Sequence, residues 1–216
     1  NDVKFKQRLN IRYPNIECIL TGDNKGYSVA NNIGLSQVNS KYSLVLNPDT
    51  IVGENTFNNF LETAKHYPDF WLIGPSNHQA NDKPLGSKKV FEVNSLKGFA
   101  IFLNMEKFKK EFFDENYFLY FEEIDLCKKV KINNGKIYLD QGLKIYHEGG
   151  SSVDERYKDE LESNRNWHWM WSTFYFHKKY KGFFIALIII FPKLFSSFLK
   201  TIFFQLTLNK QKKDIY

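Results

Sequence analysis

Apolar and polar positions fall into short blocks along this chain, and the blocks predict an α/β domain. After a polar stretch through Arg12 and the pair Tyr13-Pro14, Ile16 to Leu20 reads as a strand and Thr21 to Gly26 as a loop. From Ser28 to Ser40 the apolar residues Val29, Ile33, Leu35 and Val38 recur at helical spacing. Tyr42 to Leu46 is a continuous apolar run closed by Asn47-Pro48-Asp49, the pattern of a buried strand. Phe57 to His66 reads as a helix and Trp71 to Ile73 as a strand. This rhythm argues for a mostly parallel sheet flanked by helices. Residues 75–95 are rich in Asn, Lys, Pro, Ser and Gly and read as a long loop, a type of segment that often carries function. Phe99 to Leu103 resumes a strand, followed by a short helix from Glu106. Phe112 to Phe121 is aromatic and irregular. Glu122 to Asn134 is a helix with acids first, lysines late and Gly135 after it. Short strands at Ile137–Leu139 and Leu143–Tyr146 and a Trp-rich helix near 160–180 complete the series.

The remaining segment is apolar but interrupted. Its clean run, Phe183 to Phe191, is far shorter than the ~20 residues a bilayer needs, and Pro192 is expected to break or kink the helix. Beyond it, Lys193, Ser196, Ser197, Lys200 and Thr207 fall near one helical face, with Phe198, Ile202 and Leu206 opposite. Two readings fit that pattern: an amphipathic helix lying in a membrane interface, or one packed on a core.

Composition narrows the classes. With 216 residues the chain has room for one domain with an appendage, divided here into 1–182 and a basic tail, 183–216. Two cysteines, Cys18 and Cys127, exclude a disulfide scaffold and any multi-cysteine zinc module. The net charge of +6 is uneven. Residues 178–216 hold eight Lys and one Asp, whereas the rest of the chain is near neutral. A nucleic-acid binder carries its charge on the folded body, so this distribution argues against nucleic acid and for a tail that meets an anionic membrane surface.

Several residues have chemistry to offer. Asn47 and Asp49 stand at the carboxyl end of a strand, where ligands of open α/β sheets bind, and their oxygens suit Mg²⁺ or Mn²⁺; Asn-Pro-Asp is equally good turn chemistry. Glu122, Glu123 and Asp125 crowd one helix start. They read either as dipole-complementing acids or as a general base whose pKa is raised by its neighbours. His147 gains interest as a metal ligand if it lies near Asp49. Asn24, Gly26 and Asn32 flank a helix start suited to phosphate, without the dinucleotide-binding glycine spacing. Gly98 marks either a close approach of backbone to ligand or a turn. Trp167, Trp169 and Trp171 are spread around their helix and read as packing; His66, His78, His168 and His177 read as surface residues.

The order of these blocks is more telling than any one of them. Asn24 to Gly34 (NKGYSVANNIG), Leu46 to Thr50 (LNPDT), Gly98, Phe113 to Cys127 (FDENYFLYFEEIDLC) and His147 to Ser151 (HEGGS) together resemble the family-2 glycosyltransferases, over roughly residues 10–182. The likeness is greatest to the bacterial rhamnosyltransferase branch that builds surface polysaccharide. The resemblance implies a GT-A fold, Rossmann-like, and inverting transfer of a sugar, rhamnose among the candidates, from a nucleoside-diphosphate sugar to a saccharide or lipid-linked acceptor. It implies a divalent cation at Asp49 and His147, with Asn47 where the motif's first acid stands. It places Glu123 where an Asp base is expected; Glu is one methylene longer, which keeps Glu122 and Asp125 as rivals. Asn24, Gly26, Asn32, Asn47 and Gly98 would face substrate. The family's first strand, which helps hold the nucleobase, has no counterpart after Asn1, so the resemblance also implies a truncated domain whose sheet has an open edge. A cytoplasmic position on the inner membrane face follows for the enzyme. The alternative is a non-catalytic, membrane-associated fragment that lacks donor binding.

Overall fold

The computed structural model describes residues 2–76, 90–109, 111–147 and 158–206. Most of the long loop expected at 75–95, with His78, lies outside them. So do the Glu148–Ser151 part of the His147 block and the tail beyond Leu206. Helix α1 (Val3–Arg12) comes from a stretch read as merely polar. Asp2 caps it, its carboxylate accepting from the backbone N–H groups of Lys4 at 2.8 Å and Phe5 at 3.1 Å. No residue of α1 is buried. The strand expected at Ile16–Leu20 does not form. That segment is irregular, with Ile16 and Ile19 exposed, because β-propensity yields a strand only where a neighbouring strand pairs with it.

Helix α2 (Gly26–Ser36), strands β1 (Tyr42–Leu46) and β2 (Thr50–Val52), helix α3 (Thr56–His66) and strand β3 (Phe70–Pro75) follow. Then come β4 (Val90–Glu92), which lies inside the expected loop, β5 (Ala100–Asn104), a 3₁₀ turn at Met105–Lys107, α4 (Glu122–Ile132), β6 (Lys136–Asp140) and β7 (Ile145–His147). The main sheet has the order β1-β5-β3-β6-β4, and β2 pairs separately with β7. The sheet is mixed rather than mostly parallel: β3–β6 is parallel, whereas β1–β5, β3–β5 and β4–β6 are antiparallel. Apolar runs report burial on both faces, which β5 has throughout, and not strand direction. Strand β1 is less buried than its apolar run implied. It ends the sheet, Val45 alone being fully covered, and its outer edge pairs with no strand among the described residues.

Alternation along β5 divides the core. Ile101 and Leu103 join Leu35, Leu126 and Val130 beneath α2 and α4, while Ala100 and Phe102 join Phe60 and Ala64 of α3 on the other face. Phe102 stacks on Phe60 at 4.9 Å. The result is a three-layer sandwich.

Two long helices complete the chain, α5 (Lys158–Lys181) and α6 (Phe183–Leu206), joined at Gly182. Gly182 sits at φ +90, a conformation that costs other residues more, and it allows the sharp reversal. Helix α6 runs without a break through Pro192, against the expected interruption, and its 24 residues are long and apolar enough to cross a membrane by length and composition. In the polar stripe expected on an interfacial helix, Lys193, Ser196 and Lys200 are exposed. Lys193, Ser196, Ser197 and Lys200 face α5 across a groove.

Helix α5 is fastened to the irregular 112–121 segment. The Lys179 ammonium lies 2.7 Å from Asp114 and donates to both Asp125 oxygens at 2.8 and 2.9 Å. Tyr175 donates to Asp114, and the Ser172 hydroxyl donates to the Leu119 carbonyl at 2.8 Å. Burial pushes the Asp114 carboxyl up, but bonds from Lys179 and Asn116 outweigh it and hold it below its usual range. Asp125 is 1% exposed, so removing its cation strands a buried charge. Lys179→Ala should lower stability by about 3 kcal/mol, while Lys179→Arg recovers most of it; urea unfolding of both variants reads the difference.

Candidate active site

The site begins where β1 ends. Asn47-Pro48-Asp49-Thr50 forms a tight turn, closed by the Thr50 hydroxyl donating to the Asn47 carbonyl at 2.7 Å. The Asn47 N–H donates to the Phe99 carbonyl at 2.8 Å. The turn reading and the ligand reading are therefore compatible, because these turn hydrogen bonds do not use the Asp49 carboxylate. Pairing of β2 with β7 sets Thr50 opposite His147. Asp49 Oδ1 then lies 3.3 Å from His147 Nε2. The Phe99 ring stacks on the imidazole at 5.0 Å, nearly parallel. Thus Phe99 holds the turn with its backbone and His147 with its side chain.

The acids arrive through strained backbone. Tyr120 and Phe121 both have φ +69, a left-handed conformation rare for aromatic residues. It swings the chain into α4 so that its first turn is tucked inward. Glu122 is 6% exposed, and its Oε2 has no hydrogen-bond partner among the described residues. Burial, with a smaller push from Glu123, raises its carboxyl to about 7. Burial also raises Glu123, against backbone hydrogen bonds from Glu123 and Ile124 and a smaller pull from Lys97. Desolvation is the leading cause of both shifts, and repulsion between the acids adds only at Glu122. Asp125 is a different case. Its carboxylate is taken by Lys179 and by the Tyr117 hydroxyl at 3.2 Å, which removes it from the rival bases and makes it a structural anchor.

Gly98 joins the two halves. A Cβ placed there would lie 3.4 Å from the Glu123 side chain, and the Gly98 carbonyl accepts from the Tyr27 hydroxyl at 2.7 Å. Glu123 flanks Gly98, and the next residue, Phe99, carries the Asp49–His147 side. The carboxylates of Asp49 and Glu123 therefore border one continuous piece of backbone.

The residues expected around phosphate make contacts within the fold. Asn24 accepts from the Gly26 N–H at 3.1 Å, and the Tyr27 N–H donates to the Phe118 carbonyl at 2.9 Å. The N–H groups of Gly26 and Tyr27 are thus used within the fold. Gly26, at φ +76, is required by contact with Phe118, whose carbonyl would lie 2.5 Å from an added Cβ. The Asn32 amide donates to the Phe113 carbonyl and accepts from the Phe113 N–H, stapling α2 to the aromatic segment. Sequence reasoning missed Tyr27 and Phe99. Both lie inside or beside the blocks it selected, but a tyrosine or phenylalanine there carries no mark of its role.

The donor atoms can be tested against a divalent cation. Two ligands in cis positions on an octahedral ion, each ~2.1 Å from it, stand about 3 Å apart. The 3.3 Å separation of Asp49 and His147 fits that geometry. Among the described residues, no group of three or more His, Cys, Asp or Glu side chains gathers to hold a metal. The pair would supply two ligands of a shell, as is common where substrate phosphates and water complete it.

The profile of glycosyl transferase family 2 matches residues 3–127, more than half of the chain, and the protein belongs to that family. It is a glycosyltransferase, and its family implies a nucleotide-sugar donor and an acceptor. The match takes in Asn47, Asp49, Gly98, Glu122 and Glu123 and ends at Cys127, leaving His147 and the two long helices beyond it. No curated protein matches the chain.

A carboxyl raised in the native state is protonated there at pH values where the unfolded chain is ionised. Its contribution to stability is full below the unfolded pKa and is lost as pH rises through about 7. Glu122→Gln should thus be near neutral in stability at pH 4 and more stable than the wild type above pH 7, by up to about 3 kcal/mol. Urea unfolding at both pH values measures it.

Proposed function

We propose that the protein transfers a sugar from a nucleoside-diphosphate sugar to an acceptor hydroxyl with inversion at the anomeric carbon, in the assembly of a cell-surface polysaccharide. The observation that supports this reading is the shared backbone of Gly98 and Phe99, with a raised carboxylate on one side and the Asp49–His147 pair on the other. A donor diphosphate lying against Asp49 and His147 would put its anomeric carbon towards Glu123.

Glu123 acts as the general base. Its carboxylate takes the proton of the acceptor hydroxyl as that oxygen attacks the anomeric carbon. The new carbon–oxygen bond forms on the face opposite the diphosphate, the bond to the diphosphate oxygen breaks, and the nucleoside diphosphate leaves with the electron pair. The raised pKa of Glu123 makes it a stronger base than an exposed glutamate. Tyr27 fixes the Gly98 carbonyl and so the backbone against which Glu123 lies. Mg²⁺ or Mn²⁺ held by Asp49 and His147 would offset the charge that grows on the leaving diphosphate. A rhamnose-type donor is the first to test, on the strength of the sequence resemblance. The exposed apolar surface of α6 supports a place on the cytoplasmic face of a membrane, where lipid-linked acceptors are reached.

Glu123→Gln should lower kcat by at least about 100-fold while leaving nucleoside diphosphate binding unchanged, read as release of nucleoside diphosphate and by calorimetry. Turnover near that of the wild type would move the base to Glu122. Asp49→Asn should weaken Mn²⁺-dependent binding of the nucleoside diphosphate in the same calorimeter. If the wild type shows no such binding, the chain is not a donor-binding enzyme.

A further inference from the structure

Helix α6 presents a continuous apolar stripe. Phe184, Ile188, Phe191, Phe195, Phe198 and Leu206 recur at helical spacing on one side of it, and all six are exposed. The opposite side carries Ala186 and Ile190, which are buried, and Lys193, Ser197 and Lys200. Helix α5 meets that opposite side. Phe174 of α5 packs edge-on against Phe183, ring centres 5.9 Å apart, and the Lys193 ammonium lies 3.2 Å from the centre of the Trp169 ring. Farther along, Ser197 and Thr201 line one groove with Asn166 and Met170. The two helices therefore run antiparallel along their length. On its other face α5 is bonded to the body through Ser172, Tyr175 and Lys179, so it lies between the body and α6.

At 1.5 Å per residue α6 is about 36 Å long, and an apolar face of that extent exceeds what a protein leaves to water. Lipid suits it better than a second copy of the chain. The stripe offers no hydrogen-bonding group that would fix the register of a facing helix. Lys178, Lys181, Lys193 and Lys200 are exposed beside it, and no acid occurs from Lys178 to Leu206, a balance that complements anionic headgroups. Length alone would let α6 cross a bilayer. Two features oppose crossing. Lys193 stands near the middle of the helix, so crossing would carry its ammonium to the centre of the hydrocarbon, where a charge is most costly. Helix α5 would have to follow, with its exposed Glu162, Asn164 and Arg165. A helix lying flat meets both conditions, with the stripe turned to the acyl chains and the lysines reaching back to the headgroups.

We propose that α6 is a monotopic anchor, lying in the plane of an anionic lipid surface with its Phe184–Leu206 stripe among the acyl chains, α5 at headgroup level and both ends of α6 on the side of the catalytic body. This goes beyond the proposed membrane location and rests on it. The body then rides one helix diameter, ~10 Å, above the acyl boundary.

Depth along α6 tests the anchor. Nitroxide labels are placed in the full chain by Phe184→Cys, Phe195→Cys or Leu206→Cys, each combined with Cys18→Ser. Cys127 is left in place, because it is buried and burial pushes its thiol up to about 12. On phosphatidylcholine–phosphatidylglycerol vesicles, accessibility to oxygen and to a nickel chelate should place all three labels at one depth, about 5–10 Å below the headgroups. A Phe195→Cys label about 15 Å deep, with the other two near the surfaces, would overturn the flat orientation and keep the membrane location. In a second measurement, Phe191→Gln/Phe195→Gln should lower partition onto the same vesicles at least about tenfold. The control Phe57→Gln/Leu61→Gln, on the exposed face of α3, should leave it unchanged. Equal losses in the two variants would overturn the stripe as the contact. No partition of the wild type would remove the anchor and the membrane location together, and a dimer in that sample would give the stripe to a second copy. Neither result touches the transfer reaction, which release of nucleoside diphosphate reads separately.

Discussion

The contact on which the site depends is the Lys179 ammonium set between Asp114 and Asp125. The segment from Phe112 to Phe121 belongs to no helix or strand, so no ladder satisfies its polar groups. Its order comes from both flanks. Asn32 of α2 pairs with Phe113 on one side, and Tyr175, Ser172 and Lys179 of α5 hold Asp114 and Leu119 on the other. Only a chain gripped in this way can carry two consecutive left-handed residues, Tyr120 and Phe121, at a cost of about 1–3 kcal/mol each. Those two residues aim the first turn of α4 inward, with Glu123 against Gly98.

The same contact sorts three acids that look equivalent. Asp125 receives a cation and a hydroxyl and becomes a strut. Glu122, three residues earlier, receives neither at Oε2 and is held near neutrality by burial. Glu123 faces the Gly98 backbone and keeps some exposure. The carboxylates differ because their surroundings differ, and the surroundings are set by which way one turn of helix is rotated. Glycine at 98 contributes by having no side chain where Glu123 lies, a reason more particular than backbone freedom.

How much of this was legible from the residues can be judged element by element. The strand before Asn47-Pro48-Asp49, the helix opened by three acids and the strand after Gly98 were readable because each has a strong local pattern and a clear stop. The nearness of Asp49 and His147 was legible as a condition only, since it depends on β2 pairing with β7 across about a hundred residues. Strand direction was not legible, because burial on two faces gives the same apolar run in either sense. The fold contacts of Asn24, Gly26 and Asn32 were not legible for a related reason. An amide or a glycine at a helix start serves a phosphate or a neighbouring backbone equally well, and here Phe113 and Phe118 supply the backbone.

The tail shows the same limit at larger scale. A proline in an apolar run predicts a break, yet packing of Ala186 and Ile190 against α5 and the helical turns on either side carry α6 through Pro192. Once the helix is continuous, its lysines and serines form one stripe, and the side that stripe faces is decided by a partner helix far away in sequence. Helix α5 is that partner, and it also holds Lys179. One face of α5 fixes the segment that aims the acids, and another face closes the groove against α6. Anything that moves α6 relative to the body therefore bears on α5 first, and through α5 on the lysine that keeps Glu123 beside Gly98.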